Sequence, residues 1–170
     1  VEIRSKAVAG DEVVFFFSGH GAKGKADDGD EELVDEAIVC HDGSSLVYIW
    51  DGQLKIWFSD FATSRIVFIF DSCLSGGMTD LKASGRVIAM ACSETGSAYE
   101  GDAWQNGQFT YYFVDKGMIQ GLADKYDHDN DGVRPEGIDV VVEEAFDYAK
   151  ANCQNQKPVI SDSFANDLLL

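Results

Sequence analysis

Three short apolar runs frame the chain. Residues 12–17 read EVVFFF, residues 65–70 read RIVFIF and residues 86–91 read RVIAMA. Each is rich in β-branched or aromatic residues and lacks a regular polar alternation, which predicts strands buried on both faces. Elsewhere the spacing changes. Leu54, Trp57, Phe58 and Phe61 recur near helical spacing and predict an amphipathic helix over 52–62. A second helix is predicted over 108–122, with Phe109, Tyr112, Phe113 and Ile119 inward, and a third over 138–151. Runs at 37–39 and 46–50 predict minor strands, and 158–160 with 168–170 predict an edge strand that closes the domain. The Gly-, Lys- and Asp-rich stretch 22–36 reads as an exposed loop. The opening, VEIRSKAVAGD, reads as the last turns of a helix with a glycine stop.

Buried strands separated by helices argue for an α/β fold with a mostly parallel sheet covered on both faces. The length, 170 residues, suits one domain over 1–170. In such sheets ligands sit beyond the carboxyl ends of the strands. The first apolar run ends in SGHG, the second in DSCLSGG and the third in ACSE. A histidine and a cysteine therefore stand at neighbouring strand ends, each in a glycine-flanked turn.

That pair suggests nucleophilic chemistry. A thiolate attacks a carbonyl well and a thiol does not, so a nearby imidazole must take the proton and later return it to the leaving group. His20 and Cys73 supply those groups. The backbone amides of Gly21 and Cys73 are the expected donors to a tetrahedral oxyanion. The competing reading is structural, with Cys73 as a small buried hydrophobe and His20 as a satisfied loop residue.

Charge narrows the partners. Thirteen basic residues face thirty acidic ones, a formal net charge of -17. That field opposes a nucleic-acid backbone and favours cations or basic polypeptides. Simple solubility or adaptation to salt is the alternative cause. Acidic residues cluster in 27–36 and 124–147, where they repel unless something neutralises them. The four cysteines, Cys40, Cys73, Cys92 and Cys153, form no C-x-x-C, so neither a zinc knuckle nor a required disulfide framework is indicated. No apolar run reaches ~18 residues, so no membrane span is expected. A soluble protein, cytoplasmic or secreted, is the corresponding expectation.

FFFSGHG followed by FIFDSCLSGG resembles the two catalytic blocks of the caspase and metacaspase family, especially its bacterial members. DEAIVCHDG, RVIAMACSETGSAYE, GQFTYYF and PVISDSFANDLLL resemble later segments of the same family, so the resemblance spans nearly the whole chain. It implies a three-layer α/β/α caspase-like fold and a cysteine endopeptidase acting on peptide or protein substrates, with no organic cofactor. Asp71, two residues before Cys73, matches the metacaspase-like carboxylate of the first specificity pocket, which implies cleavage after Arg or Lys. By residue type alone Asp71 is equally a helix cap. Leu74 stands where many relatives have a histidine. The family's first strand and helix have no counterpart here, which implies an exposed apolar groove and an N-terminal segment held on a separate, cleaved chain or omitted. The 22–36 loop, with Lys23 and Lys25, is a plausible activation nick site, as in a zymogen. Two other classes stay open: a catalytically silent binding or scaffold domain, and a calcium-binding structural module.

Calcium has two candidate sites. Asp127, Asp129, Asp131 and Val133 resemble the first half of an EF-hand loop, within an acidic loop at 127–137. The closing glutamate is missing, because the twelfth position is Ile138. The family resemblance implies a second site, since some metacaspases hold an activating calcium on four separated aspartates. Asp42, Asp51 and Asp80 fall where three of those would lie, and the fourth falls at Gly52.

Overall fold

The computed structural model describes residues 2–29, 33–128, 140–165 and 167–170. In chain order its strands are β1 (Val13–Gly19), β2 (Gly21–Gly24), β3 (Asp35–His41), β4 (Leu46–Trp50), β5 (Ile66–Ser72), β6 (Arg86–Met90), β7 (Glu100–Gly101), β8 (Asn106–Gly107) and β9 (Val159–Asp162). The helices are α1 (Asp51–Trp57), a 3₁₀ helix over Ser75–Leu81, a short α2 (Gln108–Thr110) that continues as a π-helix over Tyr111–Ile119, and α3 (Val142–Asn152). The central sheet has the order β1-β5-β6-β9. Its first three strands are parallel and β9 closes it antiparallel.

The three predicted apolar runs form β1, β5 and β6. Alternate residues of β5 feed two cores. Val67 and Ile69 pack with Phe109, Phe113, Val142 and Phe146, so the π-helix and α3 cover one face. Ile66, Phe68 and Phe70 pack with Leu54, Phe58, Met78 and Leu81, so α1 and the 3₁₀ helix cover the other. Fully burying one such ring contributes roughly 1.5–3 kcal/mol. Arg86 is buried between these elements, donates to the carbonyls of Leu81 and Phe58, and lies over the Phe68 ring. Its guanidinium thereby ties the ends of the 3₁₀ helix and α1 to β6.

β1 forms one edge of this sheet, and Val14 and Phe16 on it are 45% and 47% exposed. No helix among the described residues is long and apolar enough to cross a membrane.

Several local expectations are corrected. The stretch 22–36 is not one loop: β2 pairs antiparallel with β3, from Gly21↔Ile38 to Gly24↔Asp35. Glycines and acidic residues read as loop, but the small residues of β2 let it run in close contact. A Cβ on Gly24 would stand 3.1 Å from the Trp50 ring. β3 and β4 complete a second, antiparallel sheet of order β2-β3-β4. The 52–62 helix ends at Trp57, and Phe58 and Phe61 instead stack at 5.0 Å in the segment after it. Ile119, expected inward, ends the π-helix 75% exposed, while Phe109 and Phe113 are fully buried. The chain opens with a single 3₁₀ turn over Glu2–Ser5.

The first turn of α3 carries a pair of buried acids. Glu143 accepts from the Leu168 amide and Glu144 from the Val141 amide. Val141, at the N-cap, has no polar side chain, so Glu144 supplies the capping contact instead. Burial pushes each carboxyl up from 4.5 to about 7; the two amide bonds oppose the shift and nearby carboxylates add to it. Between those values the folded protein holds protons that the unfolded chain has released, so stability falls as pH rises through that window. We therefore expect melting temperature to drop from pH 5 to pH 8, and Glu143→Gln with Glu144→Gln to flatten that profile. An unchanged slope in the double variant would exclude this pair as its source.

Candidate active site

The register of two parallel strands builds the site. Ser18 pairs with Asp71 and Gly19 with Ser72 at the ends of β1 and β5. The next residues, His20 and Cys73, therefore leave the sheet at the same level, on backbones about 5 Å apart. Gly21 completes the approach. A Cβ there would lie 1.8 Å from the Cys73 carbonyl oxygen, so only glycine lets the two turns touch. Both predicted residues line one pocket of about 190 Å³, together with Ser18, Asp71, Tyr99 and Glu100.

The turn at Cys73 is held by contacts with the Ala98 and Gly96 segment. The Cys73 sulfur receives the Ala98 amide at 3.4 Å and lies 3.7 Å from the Ala98 carbonyl. Leu74 adopts a left-handed backbone, φ 61°, which costs a non-glycine residue on the order of 1 kcal/mol. Its amide bonds to Gly96 and its carbonyl receives the Gly77 amide, and these contacts reverse the chain into the 3₁₀ helix. Cys92 sits buried beside this turn, its thiol directed at the Ser72 carbonyl and its amide bonded to the Ser75 hydroxyl. Burial pushes the Cys92 thiol up. Burial, with Asp71 adding, pushes Cys153 up to about 12.

Two carboxylates face the same pocket. Asp71 is 4% exposed, and its Oδ2 accepts from the Thr110 amide at 2.8 Å and the Thr110 hydroxyl at 2.6 Å. Burial raises its pKa, the Thr110 bonds oppose that shift, and the charge of Glu100 adds to it. A Cβ on Gly107 would fall 2.0 Å from Asp71 Oδ2, so a glycine makes room for the acid. Asp71 does cap the turn at Thr110, and it also lines the pocket. Glu100 escaped the sequence reading, because nothing around it marks a strand end. Its segment is braced by Gln156, which accepts from the Tyr99 amide and donates to the Ala91 carbonyl.

The candidate metal residues are distributed differently from expectation. Asp129, Asp131 and Val133 lie outside the described residues, while Asp127 is half-buried before them. Asp42 sits in the exposed β3–β4 turn, where its carboxylate caps the Ser44 and Ser45 amides. The β3–β4 ladder runs from His41↔Leu46 to Ala37↔Trp50, which puts Asp42 and Asp51 at opposite ends. Asp51 instead meets Asp28 and Asp35, with one carboxylate oxygen of each within 4.8 Å of the others. Asp51 and Asp35 are 0% and 1% exposed. Asp28 accepts from the Gly52 amide, and a Cβ on Gly52 would lie 2.7 Å from the Asp28 carboxyl carbon. Asp28 thus occupies the space beside the position that lacks the fourth aspartate. Asp80 is half-buried on the 3₁₀ helix and is not in this group. The acidic composition of 27–36 was the available signal for Asp28 and Asp35.

Residues 2–82 match the family model described as the metacaspase, peptidase C14 domain. Over that span the chain is similar to the caspase/metacaspase family. The matched span contains both the SGHG and DSCLSGG turns, and it supports cysteine peptidase activity. No curated protein matches the chain. A crystal structure of a protein from Geobacter sulfurreducens is similar, at TM-score 0.63 and 18% identity. That likeness covers 98% of this chain and 72% of the other, and it speaks to the fold alone.

The thiol environments lead to an ordered outcome. Iodoacetamide should modify Cys73 before Cys92 and Cys153, whose thiols burial keeps protonated. Peptide mapping after partial alkylation measures the order, and modification of Cys92 or Cys153 ahead of Cys73 would contradict this placement.

Proposed function

We propose that this domain is a cysteine endopeptidase that cleaves peptide bonds after Arg or Lys, with Cys73 as nucleophile and His20 as general base. The supporting observation is one pocket lined by His20, Cys73, Asp71 and Glu100. His20 takes the Cys73 proton, and the sulfur attacks the substrate carbonyl carbon. The Gly21 and Cys73 amides receive the oxyanion. His20 then protonates the leaving amine, and water hydrolyses the thioester with the same imidazole as base.

The carboxylates set the preference. Both Thr110 bonds go to Oδ2 of Asp71, which leaves Oδ1 for an incoming guanidinium or ammonium. Glu100 adds a second negative charge. An arginine-lined pocket for acidic side chains is the opposite arrangement.

On a panel of fluorogenic peptides differing only at the cleaved residue, Arg and Lys should be turned over and Asp should not. Cys73→Ala should abolish turnover. Asp71→Asn should lower kcat/KM for the Arg peptide by about tenfold or more, the scale of one charge-assisted contact. Since the Asp71 carboxyl is raised, the pocket loses charge early as pH falls, and KM for the Arg peptide should rise on acidification. A preference for Asp, or full activity of Cys73→Ala, would overturn this reading.

Calcium belongs to the same proposal, at Asp28, Asp35 and Asp51. Three carboxylates this close repel one another in low dielectric, and hard oxygen donors suit calcium. Asp35 also accepts from the Ala26 amide, and Asp28 from the Gly52 amide, so the group already joins three chain segments. A bound ion would supply charge neutralisation and order there. Calcium should raise the melting temperature, and Asp35→Asn or Asp51→Asn should remove that shift while Asp42→Asn should not. An equal shift in all three variants would exclude this cluster.

A further inference from the structure

A second pocket, of about 350 Å³, opens between the β2–β3 connection and α1. Asp27, Asp28, Trp50, Gln53, Ile56 and Trp57 line it. None of these residues lines the His20–Cys73 pocket. Its walls are fixed by named contacts. The Ala26 amide is bonded to Asp35 at 2.7 Å, and the Asp28 carboxylate receives the Gly52 amide at 3.0 Å. A Cβ on Gly29 would lie 3.0 Å from Ile56 Cδ1. A Cβ on Gly24 would lie 3.1 Å from the six-membered ring of Trp50, and that side chain stacks on Tyr48, with centroids 5.9 Å apart.

We propose that this pocket binds the basic side chain of an extended polypeptide segment, at a place separate from the site of cleavage. Two indoles beside carboxylates make a cation site: the ring quadrupoles attract positive charge, and the acid supplies a counter-ion. Asp27 is exposed and takes part in none of the ion pairs of the described residues, which join Arg4–Asp60, Lys6–Glu2, Arg65–Glu12 and His128–Asp147. Asp28 faces the carboxylate cluster as well, so with a metal there Asp27 remains the pocket's own charge. The strand that delivers Trp50 favours a polypeptide over a small amine. β4 is an outer strand of its sheet, and Leu46, Val47 and Tyr48 on it are exposed. An extended chain can pair along that edge while one basic side chain enters the Trp50–Trp57 pocket. The net charge of -17 draws such a segment in.

The test uses the protein without turnover, so it stands or falls apart from the peptidase reading. N-acetyl-arginine N-methylamide is titrated against protein labelled with ¹⁵N at tryptophan, and its neutral citrulline counterpart is titrated in parallel. The chain has three tryptophans, and Trp104 packs on Gly101, beside Glu100 of the other pocket. Its indole signal therefore reports the Asp71–Glu100 side, and those of Trp50 and Trp57 report this one. Trp→Phe substitutions assign the three signals. The arginine probe should shift Trp50 and Trp57 with a dissociation constant on the order of 1 mM, and citrulline should not. Asp27→Asn should weaken that response at least about threefold, the scale of one exposed charge contact, and leave the Trp104 response unchanged. Movement of Trp104 alone, equal shifts with citrulline, or no shift up to roughly 50 mM would overturn the proposal. The comparison of the two probes needs no variant, so it holds even if Asp27→Asn folds poorly.

Discussion

The in-register pairing of β1 with β5, closed by the contact of Gly21 on the Cys73 carbonyl, is the constraint on which the rest depends. A parallel pair fixes both strand ends at one level, so His20 and Cys73 meet without any contact of their own to draw them together. A one-residue slip of β1 along β5 would turn β1 inside out, burying Val14 and Phe16 and exposing Val13. The two cores on β5 oppose such a slip, because Val67 and Ile69 are committed to one face and Ile66, Phe68 and Phe70 to the other. Packing energy far from the pocket thus sets its geometry. The strained Leu74 turn is tolerable on the same account, since bonds to Gly96 and Gly77 hold it in place.

Acidic residues take the role that apolar ones usually play at the margins of this core. Asp35, Glu36, Asp51, Asp71, Glu143 and Glu144 are all buried. Each such group raises the energy of the folded state unless it is bonded, protonated or neutralised. The structure answers differently in each place. Asp71 has two bonds from Thr110 and faces the His20–Cys73 pocket. Asp35 and Asp51 share a cluster with Asp28, one carboxylate oxygen of each lying within 4.8 Å of the others. Glu143 and Glu144 are held nearer to neutrality by their burial. Three settings of one residue class therefore produce three electrostatic outcomes, decided by what faces the carboxyl.

Legibility in the sequence follows from how each segment is buried. β5 and β6 were readable because strands covered on both faces must be continuously apolar; β1 carries the same kind of run, although Val14 and Phe16 leave one of its faces exposed. His20 and Cys73 were readable because they end those runs. β2 and the start of β3 were not, since glycines chosen for close approach and buried acids both imitate a loop. Family spacing suggested Asp42, but a hairpin ladder places that residue one strand-length from Asp51. Asp28 and Asp35 reach Asp51 through tertiary folding of an acidic run whose composition alone said only that its charges needed a neutraliser. Glu100 could not be singled out, because its place beside Asp71 depends on the β7–β8 turn and on Gln156, 56 residues later.

The carboxylate cluster and the Cys73 turn are linked through a short run of backbone. Gly77, on the 3₁₀ helix that begins two residues after Cys73, packs so closely on Glu36 that a Cβ would fall 2.2 Å from its carboxylate. Glu36 follows Asp35 of the cluster in β3, and β3 also carries β2, whose first residue is the Gly21 that touches Cys73. Asp35 therefore lies on a strand that touches the Cys73 segment directly at Gly77 and, through β2, at Gly21. Close-packed glycine contacts deform little, so strain at one end of such a path is passed on rather than absorbed.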